Sequence, residues 1–146
     1  MSNDTENERW MKKIQQLTDT SETPITPLDP NMADKLKFSH HFTDNLTHPF
    51  DAVEWRHIDA VIAKVGGEEV YRQNGVEVPI FWSDRAAQIV SEKYFRIVNG
   101  KKETSVRQMI TRVAQTIRIA GQAAKLFATP SDANAFEMEL TFLLLH

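Results

Sequence analysis

In residues 69–95, EVYRQNGVEVPIFWSDRAAQIVSEKYF, the apolar spacing changes partway along. The first half alternates, with Val76 and Val78 two apart. The second half sets Ala86, Ala87, Ile89, Val90 and Tyr94 on or beside one helical face. A period of 2 marks a half-buried strand and a period near 3.6 marks a helix. The chain therefore calls for both elements, and the expected class is mainly α with a small β-hairpin (α+β). Asn74-Gly75 separates two short runs rich in Val and Tyr. Asn-Gly suits a type I′ turn, whose two central residues need positive φ, so a hairpin is expected over about 69–79. Pro79 has no N–H to give to a ladder and ends the second strand or lies at an edge.

Three helices follow, each with a start signal. Ser83 is an N-cap for a helix over about 83–96, and Asn99-Gly100 closes that region. Ser105 with Gln108 three residues on has the capping-box pattern, and Val106, Met109, Ile110, Val113 and Ile117 form the stripe of a helix over about 105–120. Gly121 weakens this helix and is a candidate for its end or a kink. Thr129 caps the third helix, about 130–146, with Pro130 at its first position and Asp132 completing the box. Phe136, Leu140, Leu143 and Leu144 form its stripe. MELTFLLLH, residues 138–146, is the most apolar run in the protein and has neither Gly, Pro nor a polar last turn. The expectation is that this helix packs on something the sequence does not contain, with those four residues as the interface.

The N-terminal part reads differently. Residues 1–37 are rich in Thr, Asp, Asn and Pro and bury too little apolar area to offset the entropy of ordering, so a flexible polar tail is expected there. Within it, Trp10, Ile14 and Leu17 could share one face of a two-turn helix. The folded domain is expected over 38–146. Residues 53–62 are ambiguous: Val53 and Trp55 alternate like a strand, whereas Ile58, Val61 and Ile62 have helical spacing. Gly66-Gly67 is a turn, since no phosphate-cradling helix and lysine follow it.

Chemistry is sparse. At 146 residues the chain is long enough for one modest core, and its net charge of −3 with no basic block argues against nucleic-acid binding. There is no cysteine, hence no disulfide and no thiolate chemistry. No signal sequence is visible and no apolar run approaches the roughly 18–20 residues that span a bilayer, so a cytoplasmic location off the membrane is the expectation. His40, His41, His48 and His57 are irregularly spaced, without a helical His-x-x-x-His pair, which argues against a metal site. Glu68 and Glu69 belong beside a turn, and Glu137 and Glu139, two apart on a helix, point different ways and form no dyad. Arg107 and Arg112 could hold an anion, but helical arginines usually pair with carboxylates or face water. Taken alone, the chain shows no active site.

Four stretches nevertheless form a pattern: FDAVEWRHIDAVI, GGEEVYRQNGVEVPIFWSDRAAQIVSEKYF, ETSVRQMITRVAQTI and AFEMELTFLLLH. In this order and at these intervals they resemble the N-terminal region of adenosylcobalamin-dependent (class II) ribonucleotide reductases, from about Phe42 to the last residue. The resemblance implies a helical segment that packs on a ten-stranded α/β barrel absent from this chain. In the family a helix similar to FEMELTFLLLH leads through a Gln-containing turn into Asn-Ser-Pro-Val-Trp-Phe-Asn, where the barrel starts. That barrel carries the radical cysteine, the reducing cysteine pair and the substrate contacts. No catalytic, cofactor-binding or allosteric residue carries over to a position of this chain. The implied whole enzyme would use adenosylcobalamin, thioredoxin-like dithiols and a ribonucleotide substrate, and this chain alone would bind no cofactor and be inactive. Its expected partner is the catalytic barrel polypeptide. A stand-alone, non-catalytic helical interaction module is the alternative.

Overall fold

The computed structural model describes residues 35–146. The expected tail, including the Trp10, Ile14 and Leu17 helix, lies outside the described residues except for its last positions.

Among the described residues two long strands come first, β1 (Trp55–Ala63) and β2 (Glu69–Pro79), paired antiparallel from Trp55↔Pro79 to Ala63↔Glu69. The ambiguous segment is thus a strand. This corrects the expected hairpin over 69–79: those residues are one strand, and the reversal lies at Lys64–Glu68. Gly66 (φ 115°) and Gly67 (φ 91°) take the left-handed conformations that this turn requires. Asn74-Gly75 is instead a bulge. The register passes from Ile58↔Val76 to Ala60↔Gln73, so Asp59 alone opposes both residues. Gly75 sits at φ 65°, and its N–H donates to Asp59 Oδ1 at 2.9 Å. An alternating run with a compatible partner elsewhere pairs along its whole length, and a glycine inside it can take the extra residue as a bulge.

Helix α1 (Asp84–Lys93) starts at Ser83, whose hydroxyl accepts from Ala86 N–H. A two-residue hairpin follows, β3 (Ile97–Val98) with β4 (Lys101–Lys102), turning at Asn99 (φ 51°) and Gly100 (φ 76°). Helix α2 (Val106–Ala123) opens with both halves of the Ser105/Gln108 capping box. Gly121 does not end it. A Cβ on Gly121 would lie 2.7 Å from Phe127 Cε2, so this glycine admits the ring against the helix. The terminator is Lys125 at φ 55°: Leu126 N–H donates to Gly121 O at 3.0 Å and Lys125 N–H to Gln122 O at 2.9 Å, the Schellman arrangement. Helix α3 (Pro130–Leu145) is capped by Thr129, whose hydroxyl oxygen accepts from Asp132 N–H.

The core lies where the hairpin meets the helices. Ala60, Val76 and Val78 come from the sheet, Ala87 from α1, Val106 and Ile110 from α2, and Leu145 from the last turn of α3, with Phe50 and Phe95 closing the sides. Trp82 Nε1–H donates to Leu145 O at 2.9 Å, which fixes the end of α3 beside the β2–α1 junction. Among the described residues, three helices and two small sheets thus make an α+β domain.

Candidate interaction surface

The region before β1 forms a strap along α3. Leu36 N–H donates to Leu126 O at 2.8 Å, and Ala128 N–H donates to Leu36 O at 2.9 Å. Pairing therefore includes Leu36, inside the stretch expected to be tail, because the turn after α2 leaves open backbone groups beside it. Phe38 N–H donates to Asp132 Oδ1 at 2.8 Å, and the Phe38 ring packs edge-on against Phe127 and Phe136.

Farther along, the strap meets Glu139. The N–H groups of His41 (3.1 Å), Phe42 (3.1 and 3.2 Å) and Thr43 (2.9 Å) donate to its carboxylate, as does the Thr43 hydroxyl at 2.6 Å. Burial opposes the charged form, but the hydrogen bonds from the Thr43 hydroxyl and the three N–H groups outweigh it. They hold the carboxyl down at about 2. Glu137 faces another way and pairs with Arg118 on α2, so the two glutamates form no dyad. The role of Glu139 could not be read locally, since its partners lie 96 to 98 positions away.

The remaining candidates are accounted for by neighbours. Arg112 Nε–H donates to Glu103 Oε1 at 2.8 Å and its Nη2 to Glu103 Oε2 at 3.1 Å and Tyr94 O at 3.0 Å. The Arg107 guanidinium lies 3.9 Å from the Trp55 ring centroid, with its Nε 3.3 Å from Glu77 Oε2. Neither arginine presents a free anion site. Glu68 pairs with Lys64 and Glu69 with Arg72 beside the turn. No group of three or more His, Cys, Asp or Glu suited to a metal occurs among the described residues. His40 Nδ1 lies 2.7 Å from Thr43 Oγ1, and His48 Nδ1 accepts from Phe50 N–H at 3.2 Å. Among the described residues no helix is long and apolar enough to cross a membrane.

What remains open is the C-terminal part of the apolar stripe of α3. Phe136, Leu140, Leu143 and Leu144, spaced i, i+4, i+7 and i+8, share one helical face. Phe136 is half-buried against Phe38 and Phe127, and Leu140 is half-buried too. Leu143 is 56% exposed and Leu144 38%. Near the same helix end, Phe42, Phe142, His146 and Phe81 stack in succession at centroid distances of 5.1, 4.2 and 5.2 Å. Phe81 and Ile80 are about half exposed. An apolar helix end beside exposed aromatic rings is the surface expected of a docking face.

The family model described as class II vitamin B12-dependent ribonucleotide reductase, in its N-terminal form, matches residues 56–102 and 97–146. The chain belongs to this family. A vitamin B12-dependent ribonucleotide reductase of Streptomyces avermitilis is 47% identical over 102 residues, covering 68% of this chain and 11% of the relative. Its counterpart from Streptomyces clavuligerus is 45% identical over the same length, and that of Rhodopirellula baltica 38% identical over 115 residues. The chain thus spans about a tenth of these reductases: 11% of each of the three.

One cleft among the described residues is too small to enclose a corrin by itself. A shallow cleft lined by His41, Phe42, Thr43, Asp44, Thr47, Pro49, Ala52 and Phe142 holds about 250 Å³. This is below the roughly 300–1,000 Å³ of pockets that enclose even drug-sized ligands. Its carboxylate, Asp44, is occupied by the N–H groups of Leu46 and Thr47 at 2.8 and 2.7 Å, which lower its pKa.

Proposed function

We propose that this chain is the N-terminal shielding and scaffold segment of an adenosylcobalamin-dependent ribonucleoside-diphosphate reductase. In that enzyme a ribonucleotide's 2′-hydroxyl is replaced by hydrogen to supply deoxyribonucleotides for DNA synthesis. The cofactor supplies the radical, and a thioredoxin-like dithiol supplies the electrons. The catalytic residues belong to the α/β barrel, and this segment contributes none. Its part is to cover one side of the barrel and help exclude water from radical chemistry. The observation that carries this reading is the end of α3, where Leu143 and Leu144 stand exposed on the same last turns that bring Phe142 and His146 into the stack with Phe81.

The test is reconstitution. The chain and a barrel polypeptide from a relative are purified separately, mixed, and assayed for cobalamin-dependent ribonucleotide reduction. The expected result is a stable complex, with activity in the mixture and none from this chain alone. The double variant L143D/L144D should weaken association by at least tenfold, about 1.4 kcal/mol, while leaving the circular dichroism of the isolated chain unchanged. A chain that stays monodisperse and ignores the barrel would instead support a stand-alone interaction module.

A further inference from the structure

The chain contains two Asn-Gly pairs, and both lie on the surface: Asn74-Gly75 in β2 and Asn99-Gly100 between β3 and β4. Asn-Gly is the dipeptide most open to intramolecular deamidation, because glycine puts no side chain in the way of its own backbone nitrogen. The Gly nitrogen loses its proton to solvent base and attacks the Asn Cγ, and the bond from Cγ to the side-chain nitrogen breaks. Ammonia leaves and a succinimide forms. Water then opens that ring at one carbonyl or the other, giving isoaspartate or aspartate. One water enters, one ammonia departs, and no oxidant or cofactor takes part.

Exposure does not separate the two sites, but backbone geometry does. At residue 75 the attacking nitrogen is engaged, since Gly75 N–H donates to Asp59 Oδ1 at 2.9 Å. Asn74 is also held within an eleven-residue strand that pairs on both sides of the bulge. At residue 100 the constraint is absent. Asn99 (φ 51°) and Gly100 (φ 76°) are the central residues of a two-residue turn between strands of two residues each. The closing bond of such a turn runs from its fourth residue to its first, which leaves the N–H of Gly100 outside it. The ribbon is held at its base, where Glu103 N–H donates to Arg96 O at 2.8 Å, so the freedom needed for attack is that of the exposed two-residue turn itself.

We infer that Asn99 is a site of spontaneous deamidation in the folded protein and that Asn74 is protected by Asp59 and the β2 ladder. The change would have consequences close by. Isoaspartate adds a backbone atom to a turn that tolerates only two residues, and either product puts a negative charge beside Lys101 and Lys102.

The test is an incubation of the whole chain at mildly alkaline pH, followed by peptide mapping that resolves residues 74 and 99. A parallel sample in urea gives the intrinsic rate of each site. In the folded chain product should accumulate at residue 99 several-fold faster than at residue 74, and urea should bring the two rates together. In Asp59→Ala the rate at residue 74 should rise while that at 99 stays the same. Equal folded rates, or a slower reaction at residue 74 in Asp59→Ala, would overturn the inference. The second outcome would make Asp59 a base that assists the attack.

Discussion

Two glutamates are buried in the fold, and they are neutralised in different ways. Glu103, 7% exposed, closes the β3–β4 end. Its carboxylate accepts from the Arg112 guanidinium and from Arg96 N–H at 2.9 Å. Glu139, 9% exposed, anchors the strap at the α3 end and accepts from three consecutive backbone N–H groups and one hydroxyl. In the first case the compensating charge is a side chain, which mutation can remove. In the second it is the Thr43 hydroxyl together with three backbone N–H groups, which any residue but proline supplies at positions 41, 42 and 43. The lesson concerns where a buried charge is replaceable. A charge paired with a side chain can be exchanged together with its partner for an apolar pair, whereas one held by amides can only be kept or lost.

The largest effect is expected from Arg112→Ala, which strands the Glu103 carboxylate. Chemical denaturation should show a loss of about 3–5 kcal/mol, and the joint replacement of Glu103 and Arg112 by Met should recover most of it. A double variant no better than Arg112→Ala would break the contrast. Next comes Glu139→Ala, which leaves the strap amides without an acceptor and should cost about 2–3 kcal/mol. Glu139→Gln, which keeps one accepting oxygen, should cost about half as much. No substitution at Thr43 should rescue either variant. The same carboxylate can also be read with acid. The folded-state pKa of Glu139, about 2, lies below its ordinary value of 4.5, so its stabilisation is fully present above pH 4.5 and lost as pH falls toward 2. After allowance for screening this is on the order of 2 kcal/mol, and comparing the pH dependence of the wild type with Glu139→Gln should isolate it. A variant with an unchanged acid slope would assign the acid sensitivity to other carboxyls.

Features fixed by neighbouring residues were legible in the sequence. Ser83, Ser105 and Thr129 cap their helices as the pattern implies, because a cap is decided within four residues. Asn-Gly was legible only in part. At residues 99 and 100 it turns a hairpin, as its φ preference allows. At 74 and 75 the same dipeptide sits inside a strand, because β1 pairs with both flanking runs and so sets the outcome. Gly121, placed by its propensity at a helix end, admits Phe127, a contact no local rule could anticipate. At the candidate surface the α3 stripe was visible as spacing. The strap that covers the neighbouring face was not, because Glu139 finds its partners across nearly a hundred residues. The residues of the stripe itself await the reconstitution test.

That separation also bears on the order of events during synthesis. The strap leaves the ribosome first, and its anchors Asp132 and Glu139 follow 94 and 96 to 98 positions later. At about 5–20 residues per second the strap waits on the order of 5–20 s with Phe38 and Phe42 unpartnered. Contacts of such long range close late, because their loop entropy must be met before they stabilise anything. Loss of the strap contacts should therefore speed unfolding more than it slows folding. The strap acts as a late clasp on a domain that has already formed.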